Sequence, residues 1–510
     1  MVFKKRNFIF GARCKVFLLS LIGLTLLIVS TNRAWNKAKK TPKTYWTIMH
    51  YGATDNDNDE MIIPIYKKMK SGLINDQGIE LIILADRNPK YSDDATVFGE
   101  NFEDTRLYRI THEKTERLDG GAEFPEITKT SNYEANTSDA MTLKKFIRFC
   151  KAHYSAEHYA LIFFTHGGGP HMAYDEGNKG DAMYTAEITD ALTAEDSVDL
   201  MVFDVCLMGG IENAYQWRPA KDKFGAQIMI ASAPSSGPFA YDKVFQRLRS
   251  GGGDNGEEDT MVGGKEKIYD PATMTALDFG SVIIEEIYDG QPDESWACYD
   301  LTKAEAIKEC VDSLAVNLAR EGEKDDFESI RGSGCILRTL NYLIYMYGIT
   351  DLAWIGFPYF DLYDLAKKTA ESSKFNDKIR LDAEKLMKLV DKLVVYSYGN
   401  DNYPGFENGK HGIYIVFPDG DKVAPYINMR HWTLQTWYNA QKITEAPAGW
   451  PPKDLPLPEE YRNYFTYGSY LWCQDGAIPG NNRVENWFEL LDSWYDTGNG
   501  PDGGLNKYRW

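Results

Sequence analysis

The chain has 510 residues, 43% of them apolar and 13% aromatic, enough for one large core or two ordinary ones, which excludes a mainly disordered protein. Its net charge of −19 excludes nucleic acid as the main partner, because phosphate binding needs clustered Lys and Arg, and it suits basic peptides or plain solubility. Seven cysteines without a CxxC pair argue against a zinc ribbon, a thioredoxin-type site or a disulfide framework, and leave room for one special thiol.

In chain order, Lys4, Lys5, Arg6, Arg13 and Lys15 precede an apolar run over 16–29 that only Ser20, Gly23 and Thr25 interrupt. This is the charged and hydrophobic layout of an export signal, so a periplasmic or extracellular location is expected. No clean small-x-small cleavage site follows. The run is short for a spanning helix, which needs about 20 apolar residues, but 8–10 extend it. Residues 8–30 are therefore either removed or kept as an inner-membrane anchor. Cys14 precedes the run, which rules out a lipoprotein. A basic linker over 37–43 closes the first segment, 1–43.

Short apolar runs then alternate with helix-period segments. Residues 45–51 (YWTIMHY), 79–85 (IELIILA), 159–165 (YALIFFT), 198–203 (VDLMVF) and 226–231 (AQIMIA) read as buried strands. Leu143, Phe146, Ile147 and Cys150 fall on one helix face. Buried strands alternating with helices predict an α/β fold with a mostly parallel central sheet. The polar, glycine-bearing stretches 175–181 and 250–267 read as surface insertions. From Tyr269 onward the pattern predicts helices over 276–288, 303–320, 362–372 and 381–396, with one strand-like run over 412–417. The expected division is a core over 44–250, a mainly helical C-terminal region over 251–446 that packs on it, and a Pro/Trp/Tyr-rich tail over 447–510.

Two strand ends carry chemistry. One is 163–169 (FFTHGGG), the other 202–208 (VFDVCLM). In open α/β sheets, sites form outside the carboxyl ends of strands, so His166 and Cys206 meet there if their strands are neighbours. A thiol of ordinary pKa, about 8.5, is only slightly ionised at neutral pH, and an adjacent imidazole supplies the missing base. The glycines after His166 allow close approach of a substrate carbonyl. The Gly167 N–H, with that of Cys206, is then a candidate oxyanion donor pair. The blander readings are a small buried Cys and an ordinary glycine turn.

The same blocks resemble the clostripain family of the caspase-like clan, which reads as hydrophobic block-His-Gly followed by hydrophobic block-Asp-x-Cys. Residues 198–215 (VDLMVFDVCLMGGIENAY) match the clostripain version, including Met208, Glu212 and Tyr215. Asp55-Asn56, the stretch 231–241, Cys298-Tyr299-Asp300-Leu301, Asp361-Leu362-Tyr363-Asp364 and Gly412-Ile413-Tyr414 are also similar, so the resemblance spans about 45–439. It implies a caspase-like three-layer sandwich and a cysteine endopeptidase, with Cys206 as nucleophile, His166 as general base and a thioester intermediate. Members usually cleave after Arg or Lys, and Asp204 matches an acidic residue of the pocket for that side chain. Alone, Asp204 also reads as a cap for the next helix. Ala233-Pro234-Ser235-Ser236 stand where relatives often carry further acids, and Pro170 replaces an aromatic.

Members are often cut between the two blocks. Lys179 is the one Lys or Arg between His166 and Cys206, which makes it the candidate autocleavage position. The acidic run Asp55, Asp57, Asp59, Glu60 resembles a calcium ligand set but lacks the EF-hand glycine and terminal Glu, so a solvated loop is the preferred reading and no cofactor is expected. Some relatives respond to calcium. The histidines show no metal-site spacing. The partners expected are peptide or protein substrates. The rival readings are a catalytically silent envelope protein that keeps the fold and binds peptides, and a hydrolase or transferase acting on another acyl or amide bond.

Overall fold

Side-chain parity along the first strand decides the architecture. In β1 (Trp46–Thr54) all nine residues are buried. Trp46 and Ile48 join one apolar cluster, while Met49, Tyr51 and Ala53 join another on the opposite face. A strand buried on both faces belongs inside a parallel sheet covered by helices on each side. The computed structural model describes residues 43–75, 77–234, 237–259, 264–287, 295–331, 359–400, 403, 405–417, 470–478 and 483–495. The expected signal or anchor, residues 8–30, lies outside the described residues. None of the described helices is long and apolar enough to cross a membrane.

The other strands are β2 (Ile79–Arg87), β3 (Thr105–Ile110), β4 (Thr115–Arg117), β5 (His158–Phe164), β6 (His171–Asp175), β7 (Asp181–Tyr184), β8 (Val198–Asp204), β9 (Ala226–Ser232), β10 (Gly253–Asp259), β11 (Gly264–Ile268), β12 (Ser295–Asp300), β13 (Tyr359–Asp361), β14 (Val394–Gly399) and β15 (Tyr414–Val416). The main sheet has nine strands in the order β14-β12-β9-β8-β5-β1-β2-β3-β4. The central run from β9 to β2 is parallel, and both edges are antiparallel. Helices Ala140–His153, Ile211–Gln216, Ala304–Glu321 and Asp377–Leu393 cover the face of Met49. Helices Asp59–Gly72, Tyr241–Arg247 and Ala276–Glu285 cover the face of Trp46. The result is a three-layer α/β sandwich with further helices from the C-terminal half. Phe163 and Phe203 stack across β5 and β8 with centroids 5.1 Å apart, and Phe203 stacks in turn on Trp217 at 4.9 Å.

The helix expected over 381–396 is instead Asp377–Leu393, and the chain continues as β14. The reason is local. Val394-Val395-Tyr396 is β-branched and aromatic, and β12 offers it an open edge to pair with. The stretch 175–181 holds the tip of the β6–β7 hairpin, and 250–267 holds most of the β10–β11 hairpin. The central sheet draws β12 and β14 from the segment 251–446. Tyr470, Trp472 and Trp487, from the segment 447–510, are buried in the core on the Met49 face.

Candidate active site

The candidate site is built from two adjoining strand ends. β5 and β8 are parallel neighbours, and their register sets Phe164 opposite Asp204. Two residues further along each chain come His166 and Cys206. Gly167 records the closeness of the two loops. A Cβ built on it would lie 2.4 Å from Val205 Cγ1 and 2.6 Å from the Cys206 carbonyl oxygen, an approach that only glycine permits. Cys206 is half-buried, whereas Cys150, Cys298, Cys310 and Cys473 are buried. Burial pushes the Cys298 thiol up to about 12 and the Cys310 thiol to about 11, and raises Cys150 and Cys473 well above the ordinary value. Among the described cysteines, Cys206 is the accessible one, and the other four behave as small apolar groups.

The turn after Cys206 is strained and pinned. Leu207 has φ +64°, a left-handed conformation that costs on the order of 1 kcal/mol or more in a non-glycine residue. It persists because three bonds over-determine it. The Leu207 N–H donates to Pro234 O at 2.8 Å, the Gly209 N–H to Ser232 O at 2.8 Å, and the Tyr414 hydroxyl to Leu207 O at 2.7 Å. On the other side, the Ala173 N–H donates to His166 O and the Gly168 N–H to His171 O, each at 3.0 Å. These bonds flank the Gly167–Met172 bridge, so the Gly167 N–H lies outside that ladder.

Side chains remote in sequence brace both loops. The Tyr359 hydroxyl donates to Gly168 O at 2.7 Å. Asn213 Nδ2 bridges the loops, donating to Gly169 O at 3.1 Å and Met208 O at 3.0 Å. The Tyr470 hydroxyl donates to Asn213 Oδ1 at 2.7 Å. Tyr359 and Tyr414 stack with centroids 4.1 Å apart. Sequence reasoning missed Asn213, Tyr359 and Tyr470 as site residues. Asn213 lay inside the matched block 198–215, and the tyrosines carry no local signal.

Asp204 ends β8 and is 2% exposed. Its Oδ2 accepts from the Tyr241 hydroxyl at 2.9 Å, and it also accepts from the Phe239 N–H. It does not cap the next helix, Ile211–Gln216, which follows Gly210. Burial pushes its carboxyl up to about 8 against the pull of the Tyr241 hydroxyl.

The acidic run divides three ways. Asp57 Oδ1 lies 2.5 Å from His166 Nε2. Asp59 takes both Arg87 Nε, at 3.0 Å, and Nη2, at 2.9 Å, and the pair is fully buried. Asp55 accepts from Asn88 Nδ2 at 2.6 Å and faces Glu134 and Asp175, the carboxyl oxygens of the three lying within 4.8 Å of one another. Burial and mutual repulsion push Glu134 up to about 8 and Asp175 to about 6, so protonation relieves this cluster, which on its own assigns no metal. Lys179 is exposed at the β6–β7 tip with φ +66°.

Comparison with known proteins places the sequence in a family. The clostripain family profile matches residues 50–487. A clostripain from Hathewaya histolytica is 42% identical over 501 residues, covering 93% of this chain and 91% of that protein. Two solved structures are also similar. A secreted C11 cysteine protease from Bacteroides thetaiotaomicron, in complex with an irreversible peptide inhibitor, has a TM-score of 0.46 and 15% identity over 73% of this chain and 92% of its own. An inactive zymogen C11 protease from Parabacteroides distasonis has a TM-score of 0.49 and 16% identity over 74% of this chain and 93% of its own. The profile match over most of the chain and the identity across almost the whole curated relative establish the relationship. With its caspase-like three-layer sandwich, the chain belongs to the clostripain family and is a cysteine endopeptidase acting on peptide or protein substrates.

Proposed function

We propose that Cys206 is the nucleophile and His166 the general base of an endopeptidase that cleaves after Arg or Lys. The observation that carries this reading is the fit of Gly167 against the Cys206 carbonyl, which joins the two strand ends at one point. His166 takes the thiol proton, and the sulfur attacks the scissile carbonyl. The Gly167 N–H faces the developing oxyanion. The amine leaves with the proton from His166, giving a thioester, which a water deprotonated by His166 then hydrolyses. Asp204 supplies the anion for the basic side chain. A panel of peptides differing only in the residue before the scissile bond tests this. Arg and Lys peptides should be cut and the Ala peptide left nearly intact. Equal turnover of all three would remove the specificity.

Export is part of the proposal, on the basic-then-apolar N-terminus, with retention of residues 8–30 as an inner-membrane anchor the alternative to cleavage. N-terminal sequencing of secreted and membrane fractions separates the two.

Self-cleavage after Lys179 is the proposed processing step. The tip is tied down, because the Gly180 N–H donates to Asp175 O at 2.9 Å and the Asn178 N–H to Asp175 Oδ1 at 2.9 Å. A protease binds extended chain, so the hairpin must open first and processing should be slow. Incubation should yield two fragments, the second beginning at Gly180. Neither Cys206→Ala nor Lys179→Ala should give them. A fully active enzyme that stays one intact chain would sink the idea and leave the peptidase reading standing.

A further inference from the structure

We propose that Asp57 is the positioning residue for His166, holding the imidazole through Nε2 and leaving Nδ1 to take the proton of Cys206. This rests on His166 being the base, and it adds a third group to the pair.

The contact itself is 2.5 Å between His166 Nε2 and Asp57 Oδ1, with side chains 45% and 67% exposed. As a contribution to stability such an exposed pair counts for little. What gives it meaning is how the loop carrying it is built. On one side of Asp57, Asp55 accepts from Asn88 Nδ2 at 2.6 Å and from the Gly177 N–H at 2.5 Å. Asn56 Nδ2 donates to Tyr174 O at 2.6 Å, and Asn56 Oδ1 accepts the Asn58 N–H at 3.0 Å. On the other side, Asp59 is locked to Arg87, whose guanidinium also reaches Asn101 Oδ1 at 2.7 Å and Ser92 O at 3.0 Å. The segment 55–59 is thus clamped left and right, and Asp57 is its one exposed member. That exposed carboxylate is delivered to the histidine at the next strand end, since β1 and β5 are neighbours. A base works best when a third group fixes its orientation, and rigid supports do this more accurately than a mobile surface side chain.

The chemistry follows from the nitrogen engaged. A proton on Nε2 donated to Asp57 leaves the lone pair on Nδ1. When the Cys206 proton arrives there, the imidazolium forms beside the Asp57 carboxyl group, 2.5 Å from Nε2. His171 packs beneath Gly168, and burial lowers its imidazole to about 3, so it adds no charge.

The test compares Asp57→Ala, Asp57→Asn and Glu60→Ala, with His166→Ala in parallel. Glu60→Ala removes the same unit of charge from the next exposed position. Asp57→Ala is expected to lower kcat by about 10- to 100-fold with KM within about twofold, at an unchanged melting temperature. Asp57→Asn keeps shape but loses charge and should fall between that and wild type. Glu60→Ala should match wild type. Wild-type kcat in Asp57→Ala, or a rise in KM alone, overturns the proposal. If His166→Ala is inactive while Asp57→Ala is fully active, the positioning role falls and the base assignment stands. An active His166→Ala removes both.

Discussion

Replacing Cys206 or His166 with alanine should each lower kcat by roughly 10⁴-fold or more, and the double replacement should cost little beyond either single one. The two groups act as a unit. A thiol without its base is mostly un-ionised, and a base without its thiol has nothing to activate. Neither replacement threatens the fold. Cys206 is half-buried and His166 exposed, while the bracing bonds from Tyr359, Tyr414 and Asn213 reach backbone carbonyls that alanine keeps. Peptide turnover by purified variants with wild-type melting temperatures measures the effect. Alkylation by a thiol-directed peptide probe, mapped by mass spectrometry, should fall on Cys206 and vanish in Cys206→Ala. More than a few per cent residual turnover in either folded variant would overturn the assignment.

Asp204→Asn should reduce kcat/KM for Arg peptides by about 10²-fold while leaving neutral peptides nearly unchanged, the size expected when a charge-assisted bond to guanidinium is lost. The pH dependence gives a second handle. Burial holds the Asp204 carboxyl up at about 8, so in the free enzyme it is largely neutral at pH 7. A guanidinium favours the ionised form, and binding below that pKa therefore releases a proton. The sign follows: kcat/KM for Arg peptides rises with pH and levels off above about 8. This component should be missing for neutral peptides and in the Asp204→Asn variant. Identical profiles for Arg and Ala peptides in the wild type would exclude Asp204 as the recognising anion.

How much of this was legible in the sequence depends on whether the signal was local. The runs ending at Phe164 and Asp204 announced buried parallel strands, and the His-Gly and Asp-x-Cys blocks marked their ends. Gly167 read as a permissive loop residue, but its tight contact with Val205 and Cys206 is a tertiary fact. Asp57 sat in a charged run that reads as solvated, because nothing local says that β1 neighbours β5. Tyr359, Tyr414 and Tyr470 reach the site from the far half of the chain. The antiparallel edges were hidden for other reasons. β3 carries Arg106 and Arg109 within six residues and has no clean apolar period, β4 has three residues, and the β-forming stretch at Val394 continues a helical pattern without a break. The helix Asp59–Gly72 carries Pro64 inside it, which disguised its period.

The strand order has one more consequence. Lys179 lies between β6 and β7, and the strands before and after it do not interleave in the main sheet: β4, β3, β2, β1 and β5 fill one side, and β8, β9, β12 and β14 the other. A single cut there divides the sheet along one seam, β5 against β8, with His166 on one fragment and Cys206 on the other. The molecule is laid out as a split enzyme. Each half alone would expose an unpaired inner strand edge and half an aromatic stack, so the nicked halves should hold together through the seam until denaturant parts them. Catalysis would then report on reassembly, since neither half carries both reactive groups.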